Sequence, residues 1–515
     1  MKKAYQLIKT GLILSVAALS FAACSEDYMD EINRDPSVST DVSAKFIIPD
    51  IELRTAQNVV GGDFNTYFGS YVEYWAGTHN QLFKAEKRDA EVRVGSTFNN
   101  TWGTVYENIR NAKLVVKKTN ADATAPDAMA CGIGEIMLAY NAALATDIYG
   151  DTPFTQVGDP YTYPYPEAES QESIYKAVFE LLDDGIKNVK AGSNTVGQYD
   201  FIYGGNSALW VKFANGLKAR YTMRLLNRSG SKEADLKKVL EYVDASFASA
   251  AEQASMQYDG SNQNPVFDFE WSRDGISSCT SMFGKLMARN DPRVERVYWD
   301  PSEWYHISSA EAEDHLAPTG DPAESQYIYA YDAWFFAEVA PVHFLSYHEL
   351  QFIKAEAQAR LGQTEAAKET LKGAVEAAFE NFEVNVAAAL AAPSVNTYGG
   401  IEEPDSDPLT AEDADDYFDN VVAPLFDADP LKETMVQKYI GLWGANGETV
   451  ETYADIRRLK AEGKDVYGLI NPGKFPLRCP YGQDDIVANP NITKIYTDAG
   501  NYVFTENVWW AGGSR

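Results

Sequence analysis

The groups that could carry out a reaction are few in this chain, and their spacing argues against one. The five histidines, His79, His306, His315, His343 and His348, are scattered along the sequence. None stands in the HExxH spacing that puts two imidazoles on one helix face around a zinc ion. His348 and Glu349 open a helical pattern, where solvation or a cap-like contact is the expected role. There is no GxSxG elbow. The Gly-Lys pairs at Gly284 and Gly473 lack the glycine spacing and the following Ser or Thr of a phosphate loop. With 75 Asp and Glu residues, some carboxylate pair must fall at glycosidase distance, so acidic residues identify nothing without a cleft.

The aromatic residues are more informative. Binding a sugar takes flat apolar faces for the C–H surface of the ring and amide, hydroxyl or guanidinium groups for its hydroxyls. Two stretches supply both. Residues 61–83 hold seven aromatics among Gly, Asn, Thr and Gln, with Trp75 close to Asn80 and Gln81. Residues 265–336 hold Trp271, Trp299, Trp304, Tyr305 and Trp334 in a run broken by Pro, Gly and Asp. These eight residues are the candidate ligand contacts. Trp299 and Trp304, in a turn-rich polar setting, suit an exposed platform. Trp75 and Trp334 also suit the small cores that long loops need, and Trp102, Trp210 and Trp443 fall in helical patterns that read as core. Arg289 and Arg293, around Asn-Asp-Pro-Arg, are expected to brace loops through carboxylates.

Charge and leader limit the setting. A net charge of −31 excludes the basic surface that nucleic acid requires and a polybasic membrane-binding face. Lys2, Lys3 and Lys9 precede an apolar run, Gly11–Ala23, too short to span a bilayer. Cys24 follows two alanines, the pattern of a bacterial lipobox. Residues 1–23 therefore read as a lipoprotein signal peptide, with Cys24 acylated as the mature N-terminus and membrane contact through that anchor only. Cys131, Cys279 and Cys479 cannot all pair, and none has metal or redox spacing. No metal or cofactor is expected. A bare Asp-x-Asp at Asp405 and Asp407 is a weak calcium cue.

The elements that must hold the aromatic loops are helices. The clearest unit is Tyr347–Phe379, two helices around Gly362, with small residues Ala355, Ala367 and Ala374 at tetratricopeptide-like offsets. Gln351 and Gln358 replace the bulky residues of that pattern. Glu356, Arg360, Lys368, Glu369 and Lys372 read as its outer face, solvated or turned to a partner. Three further pairs couple Ala128–Thr146 with Ser173–Val189, Ser207–Asn227 with Glu233–Ala250, and Leu431–Trp443 with Thr449–Lys460. The fold class is mainly α: one domain over residues 24–515, about four helix pairs, and long irregular inserts. Residues 393–420, with nine acidic residues between Glu402 and Asp419 and no Lys or Arg, read as a solvated loop.

Several segments together resemble the SusD/RagB family of nutrient-binding outer-membrane lipoproteins, in its SusD-like branch. They are Thr146–Phe154 (TDIYGDTPF), Gly204–Arg228, Asn290–Arg293 (NDPR), the Tyr347–Phe379 unit, Gln437–Lys460 and Phe475–Arg478 (FPLR), in family order behind the lipobox. After FPLR the Tyr-Pro pair usual in the family is inverted, as Pro480-Tyr481. The resemblance implies a surface receptor that captures oligosaccharide or another nutrient, catalyses nothing, and acts as a lid on a SusC-like TonB-dependent transporter. The competing readings are a surface protein for protein contacts alone and an α-helical glycosidase. The anchor has a direct test: Cys24→Ala should move the protein out of membrane fractions and abolish incorporation of labelled palmitate. Retention in the membrane would show that the chain is held some other way.

Overall fold

The computed structural model describes Lys2 and residues 42–515; the rest of the leader and Cys24 lie outside the described residues. Residues Ala44–Arg515 form one compact unit. It is mainly helical, and among the described residues the strands make four two-stranded ribbons.

The helices used below are α1 (Phe64–Tyr71), α2 (Asn99–Thr119), α3 (Ala128–Tyr149), α4 (Gln171–Ala191), α5 (Ser207–Arg224), α6 (Lys232–Asp244), α7 (Pro265–Arg273), α8 (Tyr347–Arg360), α9 (Thr364–Leu390), α10 (Pro430–Gly441) and α11 (Thr449–Ala461). Side chains set their starts: Asp127 accepts from the Ala130 N–H at 3.1 Å, Ser346 from Glu349 at 3.1 Å, and Asp429 from Lys432 at 3.1 Å. Gly362 ends α8 as its sequence suggests, at φ +72°, a conformation that costs a glycine little.

Neighbours in sequence are neighbours in space through most of the array: α2 on α3, α3 on α4, α4 on α5, α5 on α6 and α8 on α9. Three of the four expected pairs form. The fourth does not close as a hairpin. α10 packs on α8 and α9, whereas α11 packs on α1 and α5. Tyr74, from the first aromatic insert, stands between α10 and α11, donating to the Tyr439 carbonyl at 2.5 Å and lying 2.7 Å from the Thr452 hydroxyl. α9 also runs past Phe379 to Leu390. Among the described residues α3 alone is long and apolar enough to cross a bilayer, but neighbouring helices bury it.

Two expectations about charge are corrected. Glu356 and Arg360 are not a solvated face: Glu356 is fully buried, and Arg360 is largely so, beside Glu356 and Glu462. His348 and Glu349 are also buried, paired with Glu448 at 3.0 Å and Arg220 at 2.5 Å. These belong to an ionic cluster that threads the helices. Arg220 and Arg224 of α5 reach Glu349 of α8 and Glu451 of α11, and Arg224 also reaches Asp147 of α3. Arg458 of α11 reaches Glu356 of α8 at 2.7 Å and Asp455 at 2.8 Å, while Lys438 of α10 reaches Asp455 at 2.7 Å. The charges lie opposite at full burial because each helix contributes its partner's complement.

The acidic stretch 393–420 is also more ordered than expected. Its second half forms a helix, Ala411–Tyr417, continued by a π-turn, Phe418–Val422. Tyr417, Phe418 and Val422 pack with Phe379 and Phe426, while Lys372 pairs with Asp415 and Asp419 outside. Removing one partner of a fully buried ion pair leaves an uncompensated charge. Glu356→Ala should therefore lower stability by about 3–5 kcal/mol, read from the midpoint of urea unfolding. A change no larger than that of an exposed pair would show that water reaches the cluster.

Candidate functional site

Three segments converge on one pocket. α7 is fixed first. Asn264 caps it, accepting from the Val266 N–H at 2.9 Å, and its amide donates to the carbonyls of Ala340 at 2.9 Å and Ala445 at 3.1 Å. The helix is thereby tied to the segments that lead into α8 and α11. It ends at Asp274, whose φ of +44° is left-handed. The second segment is a ribbon of β1 (Tyr298–Trp299) and β2 (Tyr331–Asp332), with Trp299 opposite Tyr331. Beyond β1 the chain turns at Asp300, whose carboxylate accepts from the N–H groups of Ser302 at 2.8 Å and Glu303 at 2.9 Å. That turn presents Trp304. The third segment, residues 327–336, adds Tyr327 and Phe336 to the wall, while Tyr398, just after Pro393–Asn396, stands against Trp271 outside the lining.

Between them lies a cavity of ≈390 Å³ whose lining includes Trp271, Trp304 and Tyr327, with Phe336, Glu270 and Asp274. Trp271 is 40% exposed and stacks on Phe267 one turn earlier, ring centres 5.4 Å apart. The Trp304 ring is 5.7 Å from Trp271 and 5.8 Å from Phe336. Tyr398, 73% exposed, stands 5.8 Å from Trp271. Trp304 and Tyr327 share the left-handed backbone of Asp274, at φ +60° and +59°. Non-glycine residues held there cost free energy, and such strain clusters where a site needs a side chain aimed against local preference.

Two carboxyls form part of the pocket wall. Glu270 and Asp274 are each 95% buried and one helical turn apart. Glu270 Oε2 accepts from the N–H groups of Gly275 at 3.1 Å and Ile276 at 3.2 Å, and Asp274 Oδ1 accepts from the Tyr331 hydroxyl at 2.5 Å. Their other oxygens, Glu270 Oε1 and Asp274 Oδ2, receive no donor from the protein. Burial, and then the neighbouring Asp274 charge, push the Glu270 carboxyl well above the usual range. The two are within hydrogen-bond reach of each other. A glycosidase pair stands farther apart, at ~5 Å or more, to leave room for the anomeric carbon or a water. On the other face of α7 a polar cleft of ≈310 Å³ is lined by Gln57, Asp63, Asn100, Thr101, Asp268 and Arg273. It borders the π-helical segment Thr55–Asp63, an irregularity common at functional sites.

The eight candidates separate by depth. Trp271 and Trp304 line the pocket. Tyr305 is exposed beside the turn but outside the lining, as are Asn80 and Gln81 at the start of a separate short helix. Trp75, Trp299 and Trp334 are fully buried and present no face to solvent. Trp75 lies against Gly69, where an added Cβ would sit 2.0 Å from the indole, and donates to the Thr66 carbonyl at 2.9 Å. Trp299 donates to the Glu402 carbonyl at 2.9 Å. Trp334 meets Phe382 and Trp443 edge-on, at 5.3 and 5.1 Å. Each of these three anchors its loop to the frame. Tyr327 and Tyr398 were not singled out from the sequence, and the acidic surroundings of Tyr398 pointed elsewhere. Among the described residues, no group of three or more His, Cys, Asp or Glu converges as a metal site, and Asp405 and Asp407 remain exposed.

The family model SusD-like_2, described as "Starch-binding associating with outer membrane", matches residues 36–481. The chain belongs to the SusD-like family. A solved SusD/RagB family protein from Bacteroides thetaiotaomicron is 41% identical, with 92% of this chain and 100% of that one covered, at a TM-score of 0.88. A chitin-binding protein (20% identity, 91% and 99% covered, TM-score 0.68) and a SusD homolog from Bacteroides fragilis (18%, 92% and 100%, 0.68) share the fold. No curated protein sequence matches the chain. The fold expected from the resemblance is therefore the fold of this SusD-like chain, and its tryptophan pocket opens among the inserted segments.

Next to that pocket, burial holds the Asp332 carboxyl of β2 up at about 8, with the Ser278 hydroxyl donating to it at 2.5 Å in opposition. A carboxyl raised on folding binds its proton more tightly in the native state, so native stability falls as pH rises from ~4 to ~8, by at most about 1.4 kcal/mol per pH unit. Asp332→Asn removes that proton uptake. The variant should gain stability over the parent progressively across this window, followed by urea unfolding at each pH. A difference that stays constant with pH would place the ionised carboxylate in the native state throughout.

Proposed function

We propose that this protein captures oligosaccharide at the cell surface and acts as the lid of a SusC-like TonB-dependent transporter, held in the outer membrane by acylated Cys24. The single observation that carries the ligand assignment is the open pocket walled by Trp271 and Trp304. Two large rings at an angle, half-exposed on braced backbone, suit the two apolar faces of a pyranose. Hydroxyl-binding groups stand within the same region, from Tyr327, Ser302 and the carboxyls to the amides and Arg273 of the cleft across α7. The transporter partnership rests on family membership, and the buried helix array offers a firm body for it to sit on. Binding without turnover is favoured by the close contact of Glu270 and Asp274, the two carboxyls that line the pocket among the described residues.

Calorimetry against starch-type and chitin-type oligosaccharides tests the reading. The parent should bind at least one class without releasing shorter products. Trp271→Ala and Trp304→Ala, each removing a ring worth roughly 1.5–3 kcal/mol when covered, should weaken binding about 10- to 100-fold while leaving the unfolding midpoint near that of the parent. Full affinity in both variants would move the site elsewhere. No binding to any glycan, with a barrel partner still co-purifying, would favour a protein-contact role.

A further inference from the structure

We propose that the polar cleft across α7 is a second saccharide subsite, and that the two pockets together select a glycan long enough to cross the helix. This rests on the glycan reading above and adds a length preference to it.

The cleft presents polar groups that the protein leaves unused. Arg273 is exposed, and its guanidinium has no hydrogen bond or ion pair with any described residue; the Phe269 ring lies 5.9 Å from it. Across the cleft, Asp63 accepts on Oδ2 from the Thr101 hydroxyl at 3.0 Å. Its Oδ1 accepts from no described residue and keeps accessible surface. The side-chain amides of Asn58 and Asn100, both exposed, are likewise without a partner among the described residues. Donors and acceptors therefore stand together around one concave surface, and a sugar hydroxyl is both. Charge points away from an anionic ligand, since two carboxyls, Asp63 and Asp268, face one guanidinium in a chain of net charge −31.

The walls are fixed. An added Cβ at Gly61 would sit 2.5 Å from Pro265 Cγ, so the π-helical segment Thr55–Asp63 is seated directly on the start of α7. The Thr101–Asp63 bond holds the same segment to α2. α7 itself joins the cleft to the tryptophan pocket. Phe267 and Glu270 face inward, while Asp268, Trp271, Ser272 and Arg273 are exposed. Successive helical residues turn by about 100°, so the uncovered arc runs from Trp271 over Asp268 and Ser272 to Phe269 and Arg273. Trp271 lines the first pocket, and the other four line the cleft. The Gln326 side-chain amide donates to the Arg273 carbonyl at 2.9 Å, which ties the end of α7 to Tyr327 of the first pocket and sets the span between the two. A helix with its side chains is about 10–12 Å across, so a disaccharide fills one pocket and a chain of about six residues reaches both. Two contacts on one ligand then reinforce each other, because the second binding event is intramolecular.

Calorimetry with maltose and maltohexaose, and with N,N′-diacetylchitobiose and its hexamer, tests the proposal. For the class that binds, the hexasaccharide should bind the parent about tenfold or more tighter than the disaccharide. Arg273→Ala should remove most of that gain while changing disaccharide affinity by less than about twofold, with the unfolding midpoint unmoved. Asn100→Ala, on the opposite wall, should act in the same direction, whereas Trp271→Ala should weaken both lengths. A gain below about tenfold in the parent, or one that survives both Arg273→Ala and Asn100→Ala, overturns the second subsite. So does an Arg273→Ala variant that weakens both lengths equally, the mark of a purely structural role. A parent that binds neither length of either class overturns the glycan reading as well. One that binds both lengths alike, and loses both with Trp271→Ala, overturns the second subsite alone.

Discussion

The charges buried between α3, α5, α8, α10 and α11 constrain everything else in the molecule. Taking an ion out of water costs several kcal/mol, and the cost is recovered only where an opposite charge sits at hydrogen-bonding distance and geometry. Arg220, Arg224, Lys438 and Arg458 meet Asp147, Glu349, Glu356, Glu451 and Asp455 under that condition. At Asp455 burial alone would raise the carboxyl, yet Lys438 and Arg458 outweigh it and hold the group well below the usual range. An apolar interface of the same area tolerates a slide of one helix along another. This one does not, because moving α11 by a single turn would strand Glu356 and Glu451 together. The cluster thus fixes the register of five helices that share few turns and are joined by long excursions.

A frame with fixed register can hold loops in conformations they would not choose. Trp304, Tyr327 and Asp274 are all left-handed, and Trp304 and Asp274 are held there by hydrogen bonds to neighbouring segments. The Asp300 turn closes on its own carboxylate, and the Trp304 carbonyl accepts from the Glu402 N–H at 3.1 Å. The tryptophans that never see solvent serve the same end. Trp334 seats its segment between Phe382 of α9 and Trp443, and Trp75 is laid against α1. Arg293 works likewise: donating from Nε and Nη2 to the two oxygens of Asp291, it lies 4.5 Å over the Phe379 ring.

What could be read from the sequence follows from periodicity. Helix pairs repeat every few residues, so Tyr347–Phe379 and two other pairs are legible, as are Gly362 and the core assignment of Trp102, Trp210 and Trp443. Charged positions on those helices were misjudged for a related reason. Glu356 and Arg360 sit at spacing that marks an outer face in a two-layer repeat, but α11 arrives from a hundred residues away to cover that face and neutralise it. Periodicity reports which residues share a face and is silent on what later chain will cover it. The irregular loops carry no period at all. Trp299 and Trp304 look alike in sequence, five residues apart in one Pro- and acid-bounded stretch. They differ because the ribbon alternates: Trp299 faces the Glu402 carbonyl and Phe336, and Trp304 lies past the turn, on the rim.

The acidic stretch shows how composition misleads when it is averaged. Nine carboxylates over 18 residues describe a segment repelled by itself and at home in water. Yet its individual residues have separate employment. The Glu402 backbone closes the Trp304 turn, its carboxylate accepts from the His306 N–H, Asp413 completes a capping box with Thr410, and Asp415 and Asp419 meet Lys372. Tyr398, just upstream, is brought beside Trp271 because the segment is tied at both ends to elements that cannot move: Ser394 to Glu338 at one end, and Tyr417 against Phe379 of α9 at the other. Exposure of Tyr398 then follows without any preference of its own, since a ring held at a fixed point above a pocket has only the pocket and the solvent to face. A binding surface of this kind is therefore built twice: by rings whose burial anchors the loops, and by rings left uncovered because the anchored loops leave nothing to cover them.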